Sequence, residues 1–260
     1  MDCSRKADVP AKNEARRTPV SPRVLMGSTA FLLGQAASTV VFALLAIAIA
    51  PLKFERRYAV ITTWTRFNLW WLACTCGLRH EVRGTENIPA TPGVILCKHE
   101  SAWETLALQT VFYPQSWVLK RELLRVPFFG WGLRLLRPIA IDRTAGREAV
   151  KQLIAQGRDR LDAGSWIVVF PEGTRVAPGM TRPFQKGGAV LAKRTGVTVT
   201  PIAHDAGDFW SRRSFLKFPG TIRLVIGPGI DTRGLSSDEI NAQAKAWIEE
   251  QMASLRTRPE

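Results

Sequence analysis

An uncharged apolar stretch near the N-terminus, from Val24 to Ala50, most constrains what this chain can fold into. A helix crosses the hydrocarbon core of a bilayer with about 20 apolar residues, and this stretch is longer than that. The main alternative is a cleaved signal peptide, because Ala48-Ile49-Ala50 resembles a cleavage site, although the stretch and the charged region before it are long for one. The sequence therefore predicts a membrane-associated helix that either crosses the bilayer or re-enters the same side.

Basic and aromatic residues flank this stretch. Residues 1–23 contain six basic residues and three prolines without apolar periodicity, which predicts a disordered basic tail. After the stretch, the segment from Tyr58 to Leu78 follows three basic residues and carries Trp64, Phe67, Trp70 and Trp71. Aromatic residues beside basic ones are typical of the membrane–water interface. We therefore expect a second helix there, so that residues 24–79 form a membrane-associated helical segment, transmembrane or re-entrant helix plus interfacial helix.

The charge of the chain indicates an anionic partner. Lys and Arg number 36 against 22 Asp and Glu, a formal net charge of +14. The basic residues are spread along the chain without a nucleic-acid-binding motif, so the apolar stretch favours an anionic membrane and not nucleic acid. The four cysteines lack the spacing of a zinc site or a disulfide framework, and we interpret them as reduced thiols. We expect the protein at the inner (cytoplasmic) membrane, with its active site facing the cytosol.

The pattern becomes globular beyond about residue 80. Short apolar runs predict strands at Val94–Cys97, Trp166–Phe170 and Ile222–Ile226, with weaker candidates at Ile139–Ile141 and Val197–Ile202. Helical patterns lie between them at Gly146–Ala163 and Gln185–Thr195, and a terminal amphipathic helix, with Ser237 as a candidate cap, spans Ser236–Leu255. Strands that alternate with helices predict an α/β domain over residues 80–260, with a mostly parallel sheet flanked by helices.

Among the histidines His80, His99 and His204, only His99 directly follows a predicted strand and precedes a predicted helix. Histidine is the usual general base near neutral pH, and a carboxylate commonly orients it, which makes Glu104 the candidate partner. Five residues of α-helix turn about 500°, so the two side chains meet only if His99 lies in the turn before the helix. Ser101 and Glu104 also fit a capping box, so the glutamate is equally explained as a helix cap.

Polar residues follow other predicted strands. Phe170 to Arg175 forms a turn containing Glu172, Gly173, Thr174 and Arg175, in which glycine permits close ligand approach and the guanidinium suits phosphate. Taken by itself, this segment is better explained as a polar turn with a surface arginine. Arg143 could hold phosphate or pair with the preceding aspartate, and Lys120 is a further basic candidate whose alternative is a solvated helix start.

Together these residues resemble the lysophospholipid acyltransferase family, whose type activity is that of a 1-acyl-glycerol-3-phosphate acyltransferase. The resemblance runs from about residue 80 to 230 and includes four motifs in order. They correspond to His99 with Glu104, Arg143 after an apolar strand, Phe170–Arg175 without change, and the apolar-proline segment Val199–Ile202. The first and third motifs in company are a specific signal.

The resemblance implies acyl transfer from a coenzyme A or acyl-carrier-protein thioester, with no metal and no bound cofactor. His99 would take the proton of the acceptor hydroxyl, and Glu104 would orient His99 and stabilise its charged form. Arg143 and Arg175 would hold the phosphate of a lysophosphatidic acid-like acceptor, while Glu172 and Gly173 would shape its pocket. One departure is evident, because the family usually has aspartate where this chain has Glu104, which leaves the subfamily and the acceptor open.

Three alternatives remain at this point. The same chemistry could serve glycerol 3-phosphate, another lysophospholipid or a lyso-aminolipid. A hydrolase would use water as the acceptor, but the chain has no Gly-x-Ser-x-Gly nucleophile elbow. A non-enzymatic binder of nucleic acid or anionic membrane would rest on the net charge alone.

Overall fold

A computed structural model describes residues 20–142 and 145–257 of the chain. The helices are α1 (Pro22–Ala48), α2 (Phe54–Cys76), α3 (Trp103–Val111), α4 (Phe129–Leu135), α5 (Arg147–Asp162), α6 (Gly187–Thr195), α7 (Ala206–Phe209) and α8 (Ser237–Thr257). The strands are β1 (Leu78–Arg83), β2 (Val94–Cys97), β3 (Gln115–Lys120), β4 (Ile139–Ile141), β5 (Trp166–Val169), β6 (Val199–His204) and β7 (Gly220–Ile226). The predicted disordered tail lies largely outside the described residues, and so does Arg143.

The strands form one sheet in the order β1-β7-β6-β2-β5-β3-β4. Every neighbouring pair is parallel except β6 with β7. The predicted α/β fold with a mostly parallel sheet is confirmed. All five predicted strands are present, whereas β1 and β3 carry polar residues among their apolar ones and were not predicted.

The two faces of the sheet bury different helices. In β2, Ile95 and Cys97 point into a cluster shared with α1, α2 and α3, while Val94 and Leu96 point into one shared with α5, α6 and α8. Successive residues of a strand face opposite sides, so a strand buried on both sides reads as a continuous apolar run. This explains why the short runs at β2 and β5 identified these strands in the sequence.

Helices α1 and α2 form an antiparallel pair that packs closely. A Cβ atom on Gly34 would lie 2.1 Å from the Trp71 indole nitrogen, and one on Gly27 would lie 2.3 Å from the Thr75 carbonyl oxygen. The indole N–H of Trp71 donates to the Ala30 carbonyl at 3.1 Å. At least one aromatic side chain of the expected interfacial helix therefore binds α1, whereas Trp70 is 58% exposed.

The outer surface of α1 is apolar. Among the described residues, α1 is the helix whose length and composition would allow it to cross a membrane. In its most apolar 18-residue stretch, 22% is buried inside the protein. Its exposed large apolar side chains include Leu25, Met26, Leu33, Val41 and Leu44. This surface indicates association with a membrane.

Helix α2 joins this pair to the α/β core. Tyr58 and Leu72 of α2 are fully buried in the cluster that includes Ile95 and Trp103. Strand β1 begins at Leu78, before the expected boundary of the α/β domain at residue 80. The division of the chain into a membrane segment and a catalytic domain stays a prediction, and its two parts share one core.

The terminal helix α8 is capped one residue earlier than expected. Glu239 N–H donates to Ser236 Oγ at 3.2 Å, and Ser236 N–H donates to the Glu239 carboxylate at 2.7 Å. Ser236 rather than Ser237 is therefore the capping residue. Ile240, Ala244 and Ile248 are fully buried, as the predicted apolar face requires.

Candidate active site

The carboxyl ends of the parallel strands meet at one edge of the sheet, and the candidate residues lie there. His99 follows β2, the Phe170–Arg175 segment follows β5, Lys120 ends β3 and His204 ends β6. Because β2 lies between β5 and β6, His99 lies near the centre of this edge. Ligand sites of open α/β sheets form outside such strand ends.

His99 and Glu104 are in hydrogen-bonding contact. His99 Nδ1 lies 2.7 Å from Glu104 Oε1, with His99 in the turn before α3 and Glu104 in its first turn. This is the geometric condition that the spacing imposes. An ionised carboxylate only accepts hydrogen bonds, so Nδ1 carries the proton and Nε2 keeps a lone pair that can accept one. The side chain of His99 is 14% exposed, whereas that of Glu104 is fully buried.

The glutamate also caps the helix, so the two interpretations of Glu104 are compatible. Its Oε1 accepts the backbone N–H of Glu100 at 3.1 Å and that of Ser101 at 2.9 Å. Ser101 Oγ accepts the N–H of Trp103 at 3.2 Å, which completes a capping arrangement around the start of α3. The bonds that begin the helix thereby fix the carboxylate that orients His99.

The charge of Glu104 is maintained in spite of its burial. Burial alone would raise the pKa of Glu104, but the nearby His204, the hydrogen bond to His99 and backbone donors outweigh it, so the pKa lies below its usual value. A carboxylate that is ionised near neutral pH can stabilise an imidazolium that forms on His99.

Phe170 determines the plane of the imidazole ring. The rings of His99 and Phe170 are stacked, with centroids 3.9 Å apart and planes inclined by 15°. The N–H of Val176 donates to the His99 carbonyl at 2.8 Å, so the segment after β5 holds both the ring and the backbone of His99. Gly173 has a φ of 71°, in the left-handed region that favours glycine, and allows the segment to turn beside the histidine.

A buried ionic network lies beneath His99. Glu172 accepts a hydrogen bond from Lys98 Nζ through one carboxylate oxygen and from the His99 backbone N–H, at 3.0 Å, through the other. Glu100 binds Arg256 Nη2 through both oxygens, at 2.8 and 2.9 Å. The Glu172 side chain is therefore directed into this network and not into the cavity above His99, where the sequence analysis expected it to shape the acceptor pocket.

Above His99 opens a cavity of about 860 Å³. Most of its wall is apolar and comes from α1, α2, α4 and the end of β3, including Leu32, Ala43, Ile61, Leu133 and Leu119. Ligand pockets of this size accommodate molecules of the size of a lipid or a cofactor. An apolar wall beside the base suits a hydrocarbon chain that is attached to the reacting group.

Basic residues lie at the polar side of the cavity. Lys120, Gly173, Thr174 and Arg175 line it, as the sequence analysis expected of acceptor-binding residues. Lys120 ends β3 and directly precedes a 3₁₀ turn, so it is at once a strand-end residue and the start of a helical turn.

Two arginines that no sequence motif indicated, Arg212 and Arg213, also line this cavity and lie in the loop between α7 and β7. Arg212 Nη1 donates to the Arg175 carbonyl at 2.7 Å. Because the loop lacks a motif and is far along the chain from His99, only the fold reveals that it reaches the cavity. The contacts of Arg256 with Glu100 and of His204 with Lys98 likewise depend on the fold and have no local sequence signal.

The arrangement can deprotonate a hydroxyl group that belongs to an anionic, partly apolar molecule. His99 supplies the base, Glu104 supplies the orienting carboxylate, and the guanidinium groups of Arg175 and its neighbours suit a phosphate. The apolar wall suits acyl chains.

The chain is similar to known acyltransferases. A profile of the acyltransferase family matches residues 79–205. A 1-acyl-sn-glycerol-3-phosphate acyltransferase of Pseudomonas aeruginosa is 49% identical over 230 residues, which cover 86% of this chain and 90% of that protein. The mouse 1-acyl-sn-glycerol-3-phosphate acyltransferase alpha is 33% identical over 173 residues, covering 65% of this chain and 60% of the mouse protein.

A solved structure has the same fold. The crystal structure of the 1-acyl-sn-glycerophosphate acyltransferase PlsC from Thermotoga maritima matches with a TM-score of 0.76 and 22% sequence identity. The match covers 92% of this chain and 98% of that one. It therefore includes the N-terminal helices as well as the sheet.

Proposed function

Because the chain belongs to the 1-acyl-sn-glycerol-3-phosphate acyltransferase family, we propose that it transfers a fatty acyl group to the free hydroxyl of 1-acyl-glycerol 3-phosphate. The product is phosphatidic acid, a precursor in phospholipid biosynthesis. The observation that carries the proposal is the His99–Glu104 pair, held at 2.7 Å beside a cavity that is apolar on one side and basic on the other.

The reaction begins at His99 Nε2, which takes the proton of the acceptor hydroxyl. The oxygen then attacks the thioester carbonyl carbon, the carbon–sulfur bond breaks, and the imidazolium returns its proton to the departing thiolate. Glu104 stabilises the imidazolium between these steps and keeps Nδ1 protonated. No metal or bound cofactor enters this scheme, and the acyl-CoA or acyl-carrier-protein thioester is a substrate.

Arg175, Arg143 and Lys120 are the proposed ligands of the acceptor phosphate, with Gly173 and Thr174 beside them. Arg143 lies outside the described residues, so its proposed role rests on its motif. A planar guanidinium binds a phosphate monoester through two parallel hydrogen bonds, which favours lysophosphatidic acid over an acceptor without a terminal phosphate. Glycerol 3-phosphate, another lysophospholipid and a lyso-aminolipid are the alternative acceptors.

The proposed location is the inner membrane, with α1 in contact with lipid and the active site facing the cytosol. Exposed apolar side chains on α1, such as Met26 at 70% and Leu33 at 66%, would be covered by lipid tails. The net charge of +14 adds attraction to an anionic membrane surface. Whether α1 crosses the bilayer or re-enters it is tested by labelling cysteines introduced at its two ends with a membrane-impermeant reagent.

The test of function is an assay of the purified full chain in detergent or vesicles. Lysophosphatidic acid is supplied with acyl-CoA or acyl-carrier-protein thioester, and both thiol release and phosphatidic acid are measured. Equal thiol release and phosphatidic acid formation, dependent on the acceptor, is the expected result. Thiol release without acceptor would indicate a hydrolase, and transfer confined to another acceptor in a panel would reassign the substrate.

A further inference from the structure

His204 is a second histidine behind the catalytic pair. It ends β6, which lies directly beside β2, and the backbone N–H of Lys98 donates to the carbonyl of Ile202 at 3.0 Å. The sheet thereby brings His204 next to the turn that carries His99. The side chain of His204 is fully buried and does not line the cavity above His99.

Both ring nitrogens of His204 have a partner. Nε2 lies 2.9 Å from the carbonyl oxygen of Lys98, and Nδ1 lies 3.3 Å from the backbone N–H of Ala206. A carbonyl accepts and an N–H donates, so the proton is on Nε2 and Nδ1 is the acceptor. The ring is held in one orientation, and its Nε2–H points to the residue directly before His99.

The two oxygens of Glu104 have different surroundings. Oε1 accepts hydrogen bonds from His99, Glu100 and Ser101. Oε2 is buried and has no hydrogen-bond partner among the described residues, but His204 Nε2 lies 3.9 Å from it. A buried carboxylate oxygen without a donor is unfavourable, so an N–H group directed close to it stabilises the ionised form.

We propose that His204 is a positioning residue for acyl transfer, which holds Glu104 from the side opposite His99 and so orients the base. The inference rests on the proposed function. The Nε2–H of His204 donates to the Lys98 carbonyl at 2.9 Å, and Nε2 lies 3.9 Å from Glu104 Oε2, which is an electrostatic contact and not a hydrogen bond. The ring thereby stabilises the ionised carboxylate and holds the turn that carries His99.

This arrangement also gives a reason for glutamate at position 104. Glutamate is one methylene longer than the aspartate that the resemblance led us to expect. The extra length lets one carboxylate bind His99 and two backbone N–H groups with Oε1 while Oε2 reaches the vicinity of His204. Glu104 and His204 therefore act as a unit.

Two amide variants test the inference as a matched pair. His204→Gln keeps an N–H donor near the place of Nε2, whereas His204→Asn has its amide near Nδ1 and leaves the Lys98 carbonyl and Glu104 without the donor. We expect kcat to fall about 10- to 100-fold in H204N because the base is misplaced, and to stay within a few-fold of wild type in H204Q. KM for both substrates should be unchanged in each.

The same substitutions in a Glu104→Gln background separate positioning from a general structural role. If His204 acts through the Glu104 carboxylate, H204N should reduce kcat less than about 3-fold further in E104Q, since coupled residues are not additive. An equal fold-loss in both backgrounds, or equal kcat in H204N and H204Q, would overturn the inference. Rates are taken per folded enzyme, and H204F replaces H204N in the cycle if H204N does not fold.

The outcome is distinguishable from a failure of the proposed function. A wild-type enzyme that forms phosphatidic acid while H204N is unaffected leaves the function standing and overturns the role of His204. A wild-type enzyme that transfers no acyl group to any acceptor overturns the function itself, and with it the role of His204 in that reaction.

Discussion

The buried region beneath His99 and the open cavity above it differ in whether their charged side chains are paired with each other. Beneath it, Lys98 and Glu172 are no more than 5% exposed and pair with each other, and Glu100 is bound by Arg256. Above it, Arg175 and Lys120 line the open cavity, and neither forms an ion pair with a carboxylate in the described part of the chain.

This difference in ion pairing determines the role that each region can have. Buried charges that are fully paired are fixed, so the network beneath His99 sets the geometry of its turn. Accessible cations without a partner are available to an anion from outside the protein. If this distinction is correct, substitutions beneath His99 should affect stability and kcat, and those above it should affect KM.

The largest effect is expected at the junction of the two regions. His99→Ala removes the base and should lower kcat by about 10²- to 10⁴-fold or abolish measurable transfer, a loss measured per folded enzyme because Glu104 also loses a hydrogen-bond partner. His80→Gln is the matched control, because His80 is exposed on β1 and does not line the cavity. If H99A were as active as the wild-type enzyme, His99 would not be the base, and the two regions around it could not be compared as parts of an active site.

The next effect concerns the buried network. Burial raises the pKa of Glu100 even with Arg256 beside it, so Arg256→Met would leave a carboxylate in an unfavourable site. Breaking a buried pair in this way costs about 3–5 kcal/mol of unfolding free energy. The double variant E100M/R256M should recover most of the loss, because both charges are then absent.

The unfolding free energies of R256M and E100M/R256M are compared with that of the wild-type protein by thermal or denaturant unfolding, all in the same detergent. Arg233→Met is the control, because its ion pair with Asp231 is on the surface, with side chains 85% and 58% exposed, and solvent screening should leave the free energy of unfolding almost unchanged. A loss in R256M no greater than in R233M would show that the network beneath His99 is not structurally important.

Much of the sheet could be predicted from the sequence for a physical reason. Strands such as β2 and β5 are buried on both faces, so every residue in them is apolar and the run is visible. Strand β1 is Leu-Arg-His-Glu-Val-Arg and β3 begins with Gln115 and Ser116, so neither shows a continuous run. Their identity as strands depends on pairing partners that local patterns do not contain.

The site was predictable only where its residues share a local motif. His99 and Glu104 are five residues apart, and the geometry of one helix turn links them. Arg256 and Glu100 are separated by 156 positions, and His204 and Lys98 by 106, so only the packing of α8 and β6 brings them to the site. The direction of Glu172, towards Lys98 and not towards the cavity, likewise depends on a partner in the turn that follows another strand.

On the cavity side, Arg175→Met should raise KM for lysophosphatidic acid by about 10- to 100-fold with a smaller change in kcat. Hydrogen bonds to a charged group contribute about 1.5–3 kcal/mol, and no buried partner is left without its counter-charge. Arg194→Met is the control, because Arg194 is exposed on α6 away from the cavity. A fall in kcat with unchanged KM would show that Arg175 positions His99, as the buried network beneath it does, and does not bind the acceptor.

The smallest effect is expected for Lys120→Met. Lys120 is exposed at the end of β3, and its ammonium group is a point charge that water and salt screen. Exposed charge pairs contribute about 0.2–1 kcal/mol, so KM for lysophosphatidic acid should rise about 2- to 5-fold at low salt. The ratio of the KM of K120M to that of the wild-type enzyme should approach one as salt is added. For the control Lys193→Met, on α6, this ratio should stay near one at every salt concentration. A salt-independent increase in KM would mean that Lys120 contacts the acceptor directly in a site closed to solvent, and the cavity side would then resemble the buried side more closely than the exposure of its cations suggests.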